Sequence, residues 1–303
     1  MDLNRGRVDT IIKFALKEET GTGDITSASV IDKDLVIDTV VLARQNAVVC
    51  GMKVLEAVFS AVDPSVRFRP VVKDGDLIAP DQEIAFAEGN ARSILKAERT
   101  AINFLGLMSG VATKTREMVD KVKGTGAKIY DTRKTLPLHR YLEKYAVTVG
   151  GGYNHRYGLW DMVLMKDNHI RAFALSRKVT DSCVVISEMI KMARSAVQKN
   201  IRIEIEVETL KECECALGER PDVIMLDNMA PKSVKEAVEM RREKGLEGKV
   251  LFEVSGGITT DNVKDYADTG VDIISSGSLT SSVRLVDYSL EVVLKDGKIS
   301  ASH

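Results

Sequence analysis

The amino-acid sequence predicts an α/β protein in which a closed or nearly closed (β/α) barrel follows a small α+β domain. Six near-continuous apolar segments alternate with helical segments in the second half of the chain, which is typical of parallel strands buried on both faces. A polar residue follows nearly every one of them: Arg133, Lys166, Glu206, Asp227, Ser255 and Gly277. Because these residues are not confined to one switch point, a barrel is favoured over an open doubly wound sheet.

The first part of the chain carries no obvious catalytic cluster. Amphipathic spacing predicts helices over residues 7–17 and 52–61, with a turn-rich loop at 18–26. Segments rich in Val and Ile predict short strands at 35–44, 47–51, 66–72 and 83–87. A long helix follows over 93–122, and Arg99 interrupts its apolar face. An unpaired charge there would be costly, so Arg99 is either an ion-pair partner of Glu98 or another acid, or an anion ligand.

Strands and helices alternate regularly beyond residue 126. The predicted strands are 128–132, 162–165, 201–207, 222–226, 250–254 and 271–275. The predicted helices are 142–149, 187–199, 210–217, 231–244, 259–268 and 281–294. The polar residues 295–303 are predicted to be a frayed tail.

Composition excludes several classes of function. Of the 303 residues 44% are hydrophobic and 29% are charged, with a formal net charge of -1, which argues against broad nucleic-acid binding. The sequence contains no uninterrupted apolar run of about 18 residues, so a membrane span is not expected. The charged N-terminal helix is unlike a secretory signal, so a cytoplasmic location is expected. The cysteines, Cys50, Cys183, Cys213 and Cys215, lack metal-ligand spacing and are predicted to be buried or idle thiols.

Five cationic or titratable side chains follow the first two barrel strands. They are Arg133, Lys134, His155, Arg156 and Lys166. Since the carboxyl ends of parallel strands meet at one edge, these side chains are expected to form one pocket for a polyanion. The cationic neighbours of His155 are expected to keep it neutral, as a hydrogen-bond donor to substrate.

Two carboxylates, Glu206 and Asp227, are expected at the ends of neighbouring strands. They can hold a hard divalent cation such as Mg²⁺, or they can pair with Lys134 and Lys166. Glu204 and Glu208 share the strand face of Glu206 by period two, and one of them is expected to have no role in the site.

Two glycine-rich loops follow the last two strands. Ser255, Gly256 and Gly257 form one, and Ser276 and Gly277 form the other. Such a pair at the end of a barrel is typical of a phosphate site. The chain lacks a recognised Ser-His-Asp order, a His-x-x-x-His zinc pattern, a Walker loop and an early Gly-x-Gly-x-x-Gly. Hydrolase and dinucleotide-binding functions therefore lose most of their support.

Four motifs beyond residue 126 are the most specific: Asp131-Thr132-Arg133-Lys134-Thr135, Asn154-His155-Arg156, Leu164-Met165-Lys166-Asp167-Asn168-His169 and Glu253-Val254-Ser255-Gly256-Gly257. Further motifs lie in segments 21–26, 97–100, 109–113, 142–147 and 150–152. Together they extend along nearly the whole chain and resemble the quinolinate phosphoribosyltransferase family, the decarboxylating nicotinate-nucleotide pyrophosphorylases.

The resemblance implies a small α/β sandwich domain over 1–113, joined by the C-terminal segment 281–303, and an irregular, incomplete (β/α) barrel over 114–280. It implies a homodimer, with a hexamer left open, in which Arg99 reaches the neighbouring active site.

The resemblance also implies roles for the site residues. Arg133, His155, Arg156 and Lys166 would hold the carboxylates of quinolinate together with Arg99. Lys134 would face the pyrophosphate of phosphoribosyl pyrophosphate, while Glu206 and Asp227 would hold Mg²⁺ and the ribose region. Ser255, Gly256, Gly257, Ser276 and Gly277 would bind the 5′-phosphate. The implied reaction is phosphoribosyl transfer to quinolinate with loss of CO₂, which gives nicotinate mononucleotide in NAD biosynthesis.

The chain departs from the family pattern in three places. Leu136-Pro137-Leu138-His139 stands where the family has Thr-Pro-Gly-Leu, and Thr280-Ser281-Ser282 where it has Thr-His-Ser. Trp160 is bulkier than expected. Two alternatives stay open: a paralogous phosphoribosyltransferase acting on another acceptor such as nicotinate, and a degenerate member that binds a phosphorylated metabolite as a sensor.

Overall fold

A computed structural model describes residues 3–294, so the predicted frayed tail lies outside the described residues. Of these, 3–116, 135–151 and 280–294 form one compact unit, and 117–134 and 152–279 form a second. The domain boundaries expected at 113/114 and 280/281 stay a prediction, because a compact unit need not be a domain that folds alone. No helix within the described range is long and apolar enough to cross a membrane.

The secondary structure is mixed, as predicted. The helices are α1 (Arg5–Thr20), α2 (Ile25–Val30), α3 (Met52–Val62), α4 (Ala91–Lys121), α5 (Arg140–Val149), α6 (Asp167–Arg177), α7 (Ser182–Ala196), α8 (Leu210–Glu219), α9 (Pro231–Glu243), α10 (Val263–Ala267) and α11 (Ser278–Ser281). The strands are β1 (Val36–Ala43), β2 (Ala47–Val48), β3 (Arg67–Pro70), β4 (Leu77–Ile78), β5 (Glu83–Asn90), β6 (Lys128–Tyr130), β7 (Val163–Met165), β8 (Ile203–Val207), β9 (Val223–Asp227), β10 (Leu251–Ser255), β11 (Ile273–Ser275) and β12 (Tyr288–Val292).

The first unit contains a four-stranded antiparallel sheet in the order β12-β1-β5-β3, and β2 pairs with β4. The helix predicted over 281–294 is wrong, because this segment contains β12. Its residues alternate along a strand and pair with β1, with Tyr288 opposite Ala43 and Val292 opposite Thr39. A long-range partner strand therefore overrides the helical spacing.

The second unit contains a parallel six-stranded sheet in the order β6-β11-β10-β9-β8-β7. This confirms the predicted α/β class and the incomplete barrel: β6 and β7 lie at opposite ends of the strand order and do not pair with each other. A single parallel bridge between Tyr130 and Tyr153 extends the β6 edge. The central strands are buried on both faces. Every residue of β8 is buried, including its two carboxylates.

Sequence periodicity misses α6. No residue of this helix is buried, so it lacks the apolar face by which an amphipathic helix is recognised. The other helices of this unit have clear local causes: Thr209 caps α8 by accepting the N–H of Glu212, and Pro231 occupies the first turn of α9.

The prediction that all four cysteines are free is wrong for one pair. Cys183 and Cys215 form a disulfide that joins α7 to α8, with their Cα atoms 5.4 Å apart. Sequence spacing could not reveal it, because the pairing depends on how the two helices pack. Cys50 and Cys213 are free and buried, as expected.

Candidate active site

Five polar side chains share one face of the parallel sheet. Glu204 and Glu206 alternate with apolar residues along β8, so they project to the same side. The register of β8, β9 and β10 brings Asp227, Glu253 and Ser255 to that side as well. Four carboxylates therefore share the face on which the sequence predicts an active site.

The loop that carries His155 is attached to the end of β6. Tyr153 donates its N–H to the Ile129 carbonyl at 2.8 Å, and its own carbonyl accepts the Asp131 N–H at 3.0 Å. The rings of Tyr130 and Tyr153 stack with centroids 5.4 Å apart. Asp131 is fully buried, and its Oδ1 accepts the backbone N–H of His155 at 2.8 Å. These contacts set the position of His155 relative to the sheet.

The His155 ring lies between two buried glutamates. Nε2 lies 3.1 Å from Glu204 Oε2 and 3.4 Å from Glu253 Oε2. Burial raises the pKa of Glu204 to about 7, and the neighbouring Glu253 acts in the same direction. Burial lowers the pKa of His155, but its hydrogen bonds to the two glutamates outweigh that effect and raise the pKa to about 10. The expected cationic surroundings of His155 are therefore wrong, because its nearest charged groups are carboxylates.

The other ring nitrogen of His155 faces the main chain. The backbone N–H of Arg156 donates to Nδ1 at 2.8 Å, and a ring that accepts there is the neutral tautomer with its proton on Nε2. This contact therefore opposes the second ring proton that the two carboxylates favour. Nε2 carries a proton in the neutral and the charged ring alike, since it faces two carboxylate oxygens. Both ring nitrogens are thus in contact with protein groups.

Arg156 is buried, with 8% of its surface exposed. Its Nη1 donates to the Met162 carbonyl at 3.3 Å. Burial lowers the pKa of Arg156, and the like charge of Arg133 lowers it further. The two guanidinium groups therefore lie within electrostatic range of each other, and an anion between them would offset their repulsion.

Lys166 pairs with Glu206 rather than standing alone. Its Nζ lies 2.5 Å from Glu206 Oε2, which realises the ion pair that the sequence left open. Burial raises the pKa of Asp227, and Glu206 raises it further, while Lys166 and Lys134 act in the opposite direction. Two neighbouring carboxylates that repel each other are a donor set that suits Mg²⁺, so Glu206 and Asp227 fit this ion.

The glycine loop after β10 packs against the end of β9. Gly256 has φ +93°, and a Cβ there would lie 2.9 Å from the Asn228 backbone nitrogen and closer still to its side-chain amide. Gly257 has φ +63°, and a Cβ there would meet nothing within 4 Å. Asn262 stabilises the turn by donating its Nδ2–H to the Gly257 carbonyl at 3.0 Å. A Cβ at Gly256 would therefore collide with Asn228, whereas glycine at Gly257 only avoids the backbone strain of positive φ.

The second glycine loop lies under Lys134. A Cβ at Gly277 would lie 2.7 Å from Lys134 Cδ, so the absence of a side chain lets the lysine cross this loop. Ser276 is buried, and its hydroxyl donates to the Ile258 carbonyl at 2.7 Å. Ser276 therefore links the two loops, and its predicted contact with phosphate stays a prediction.

Arg99 lies in α4 with an exposed side chain. No carboxylate among the described residues forms a salt bridge with it. Burial raises the pKa of Glu98, however, and the charge of Arg99 acts in the opposite direction, so an electrostatic interaction with Glu98 stays open beside the predicted role as an anion ligand. Sequence analysis missed the roles of Asp131, Glu204 and Glu253. A glutamate alternating with Ile and Val in a buried strand was the available signal for Glu204, and Glu253 lies between Phe252 and Val254 in the same way.

The carboxyl edge of the incomplete barrel combines cationic side chains, acidic side chains and two glycine loops. This combination defines the class of protein, one that binds a phosphorylated, multiply charged anion. The family model of the quinolinate phosphoribosyl transferase C-terminal domain matches residues 111–291, and that of the N-terminal domain matches 24–109. The chain belongs to the quinolinate phosphoribosyltransferase family.

Relatives agree over nearly the full length. A probable nicotinate-nucleotide pyrophosphorylase [carboxylating] from Methanocaldococcus jannaschii is 41% identical over 287 residues, covering 93% of this chain and 96% of the relative. A mitochondrial quinolinate phosphoribosyltransferase [decarboxylating] 2b from Nicotiana tabacum is 38% identical over 298 residues, covering 93% and 81%. The solved nicotinate-nucleotide pyrophosphorylase of Francisella tularensis superposes with a TM-score of 0.87 at 34% identity, covering 96% of this chain and 98% of that one.

Proposed function

We propose that this protein transfers the phosphoribosyl group of phosphoribosyl pyrophosphate to quinolinate and removes one carboxylate, giving nicotinate mononucleotide, pyrophosphate and CO₂. The observation that carries the proposal is the neighbouring position of Arg133 and Arg156, beside the Lys166–Glu206 pair, in a chain of this family. Two neighbouring cationic groups that repel each other are suited to an acceptor with two carboxylates.

Arg133, Arg156 and Lys166 hold the acceptor in this proposal. The guanidinium of Arg156 is buried and anchored, so it orients one carboxylate of quinolinate. Arg133 is exposed at the end of β6 and closes on the ligand from solvent. Arg99 of a second copy of the chain completes the pocket, which makes a dimer necessary for activity; whether dimers form hexamers is a separate question.

Lys134, Glu206 and Asp227 act on the phosphoribosyl donor. Lys134 crosses the Gly277 loop, so this proposal places its ammonium beside pyrophosphate, near the loops that would cradle the 5′-phosphate. Glu206 and Asp227 would hold Mg²⁺, which when bound supplies positive charge that stabilises departing pyrophosphate. Their carboxylates also favour positive charge developing on the ribose in an oxocarbenium-like transition state.

The bonding changes balance without a redox cofactor. The quinolinate nitrogen forms a bond to the anomeric carbon as the bond from that carbon to pyrophosphate breaks. The ring nitrogen then carries a positive charge, so the electron pair of the adjacent carbon–carboxylate bond can remain on the ring as CO₂ leaves. A solvent proton fills the vacated ring position.

The test is a product assay with purified protein, quinolinate, phosphoribosyl pyrophosphate and Mg²⁺. Nicotinate mononucleotide and CO₂ are expected together, with none of the mononucleotide when nicotinate replaces quinolinate. The matched variant Arg133→Ala should lose roughly 3 kcal/mol of transition-state binding, about a hundredfold in kcat/KM, because a charged bidentate contact is removed. Turnover of nicotinate alone would favour a paralogous transferase, and bound phosphoribosyl pyrophosphate without turnover would favour a sensor.

We also propose a cytoplasmic location. The tobacco relative is named as mitochondrial, so relatives differ in compartment. Fractionation of the source cells, with enzyme activity followed in each fraction, decides the question.

A further inference from the structure

We propose that Glu204 and Glu253 are positioning residues for quinolinate binding: they hold the His155 ring, and the ring holds the main chain of Arg156. The inference rests on the proposed function, because it takes Arg156 as a ligand of the acceptor carboxylate. Its basis is a continuous chain of contacts from two sheet strands to one buried guanidinium.

The two glutamates hold the ring from different strands. Glu204 belongs to β8 and Glu253 to β10, and both direct an oxygen at the same ring atom, Nε2. Asp131 holds the backbone N–H of His155 at 2.8 Å from the end of β6. Two strands therefore hold the ring, and the residue after a third strand holds the main chain that carries it.

The fixed ring then orients Arg156. His155 Nδ1 accepts the N–H of Arg156 at 2.8 Å, and the Arg156 side chain is held by the Met162 carbonyl. Because both ring nitrogens of His155 contact protein, the ring acts on quinolinate through Arg156. A bidentate contact between guanidinium and carboxylate depends on the plane of the guanidinium, so small rotations of the loop weaken binding.

The same three side chains have the spacing of a metal site, since their ligand atoms lie within 4.8 Å of one another. The Arg156 contact argues against that use. A metal on Nε2 requires the ring proton on Nδ1, yet Nδ1 accepts the backbone N–H of Arg156. The geometry thus points to a hydrogen-bonded clamp rather than a metal centre.

The glutamates are costly for stability. Glu204 Oε1 and Glu253 Oε1 are buried without a hydrogen-bond partner among the described residues. Unsatisfied buried acceptors destabilise a fold, and apolar residues of similar volume often stabilise it. A cost of this kind, borne by two buried carboxylates in the central strands, is typical of functional positions.

The test compares substitutions that keep or remove the hydrogen-bond acceptor. Glu204→Met and Glu253→Met preserve side-chain length but cannot accept from Nε2, whereas Glu204→Gln and Glu253→Gln retain an acceptor oxygen. KM for quinolinate is expected to rise about tenfold or more in the Met variants and less than about threefold in the Gln variants. KM for phosphoribosyl pyrophosphate is expected to stay within about twofold of the parent in all four.

Glu291 provides the control. It is also a buried glutamate paired with a cation, since Arg44 Nη2 lies 2.8 Å from its Oε1, but it belongs to β12 of the antiparallel sheet. Glu291→Met should lower the thermal midpoint without raising KM for quinolinate. The proposal is overturned if the Met variants keep the parental KM for quinolinate, or if KM rises equally for both substrates.

Nuclear magnetic resonance gives a readout that does not require turnover. The chain has only four histidines, His139, His155, His169 and His303, so ¹⁵N-labelled histidine gives assignable ring signals. A slowly exchanging Nε2 proton on His155 is expected, and it should exchange faster in the Met variants. An unprotonated Nε2, or its loss of a proton on adding equimolar Zn²⁺, overturns the proposal. A parent that shows the protected proton but no turnover would refute the proposed function and leave the clamp standing.

Discussion

Replacing each glycine of the loop after β10 by alanine separates two causes of strain. Both residues have positive φ, +93° at Gly256 and +63° at Gly257, so an alanine at either position costs about 1–2 kcal/mol. Only Gly256 also meets a neighbour, because its Cβ would collide with the Asn228 side-chain amide and lie 2.9 Å from the Asn228 backbone nitrogen. Overpacking of that kind adds about 1–3 kcal/mol.

Gly256→Ala should therefore lower the free energy of unfolding by about 2–5 kcal/mol, against about 1–2 kcal/mol for Gly257→Ala. Relief of the collision moves the loop away from Asn228. If the loop cradles the 5′-phosphate, KM for phosphoribosyl pyrophosphate should rise about tenfold or more in Gly256→Ala, with a smaller rise in Gly257→Ala. KM for quinolinate should change little in both.

Urea unfolding and steady-state kinetics on the two variants provide the measurement. The double variant Gly256→Ala/Asn228→Ala, compared with Asn228→Ala alone, tests whether the collision is the cause. Removing the Asn228 side chain should recover part of the loss, which a double-mutant cycle reports as a favourable coupling energy. Equal losses in Gly256→Ala and Gly257→Ala, or no coupling with Asn228, would refute the reasoning.

Three further experiments test other parts of the chain. Leu138 has φ +67° and is 79% exposed, so Leu138→Gly should stabilise the protein by about 0.5–1 kcal/mol in urea unfolding, since relieved strain exceeds the entropy cost of glycine. Asp272→Asn should cost about 2–4 kcal/mol in the same assay, because it leaves the buried Arg241 without its carboxylate partner; both KM values should match the parent. The variants Arg99→Ala and Lys134→Ala should each be inactive. If Arg99 acts across a dimer, coexpression of the two variants should restore about a quarter of parental activity, because mixed dimers keep one intact site. No recovery in mixed dimers would contradict that role.

The parallel sheet could be predicted because its strands are apolar on both faces and end in polar residues. The pattern locates β8, β9 and β10 to within two residues of their observed ends. It fails at α6, which buries none of its residues, and at β12, which is specified by its pairing with β1. Periodicity fails at α6 because that helix has no apolar face to detect, and at β12 because local periodicity contains no information about distant partners.

The candidate site could be predicted only in part for the same reason. Cationic residues that follow strands were found because their positions in sequence place them at one edge of the sheet. The surroundings of His155 could not be predicted, because Glu204 and Glu253 belong to two strands that are far apart in sequence and contact the ring only in the folded sheet. The charged residues near His155 in the sequence include Arg156 and Arg133, whereas the charged groups nearest its ring in the structure are carboxylates.

The acidic residues explain how an anion pocket is built in a chain whose formal net charge is -1. Glu206 holds Lys166 at 2.5 Å, and Glu204 and Glu253 hold the His155 ring. A free cation on a long side chain must lose its freedom when a ligand binds, whereas a cation already held by a carboxylate loses less. Acids on the inner face thus do not cancel the attraction for an anion; they fix the positions of the groups that bind it, so removing an acid should weaken substrate binding rather than strengthen it.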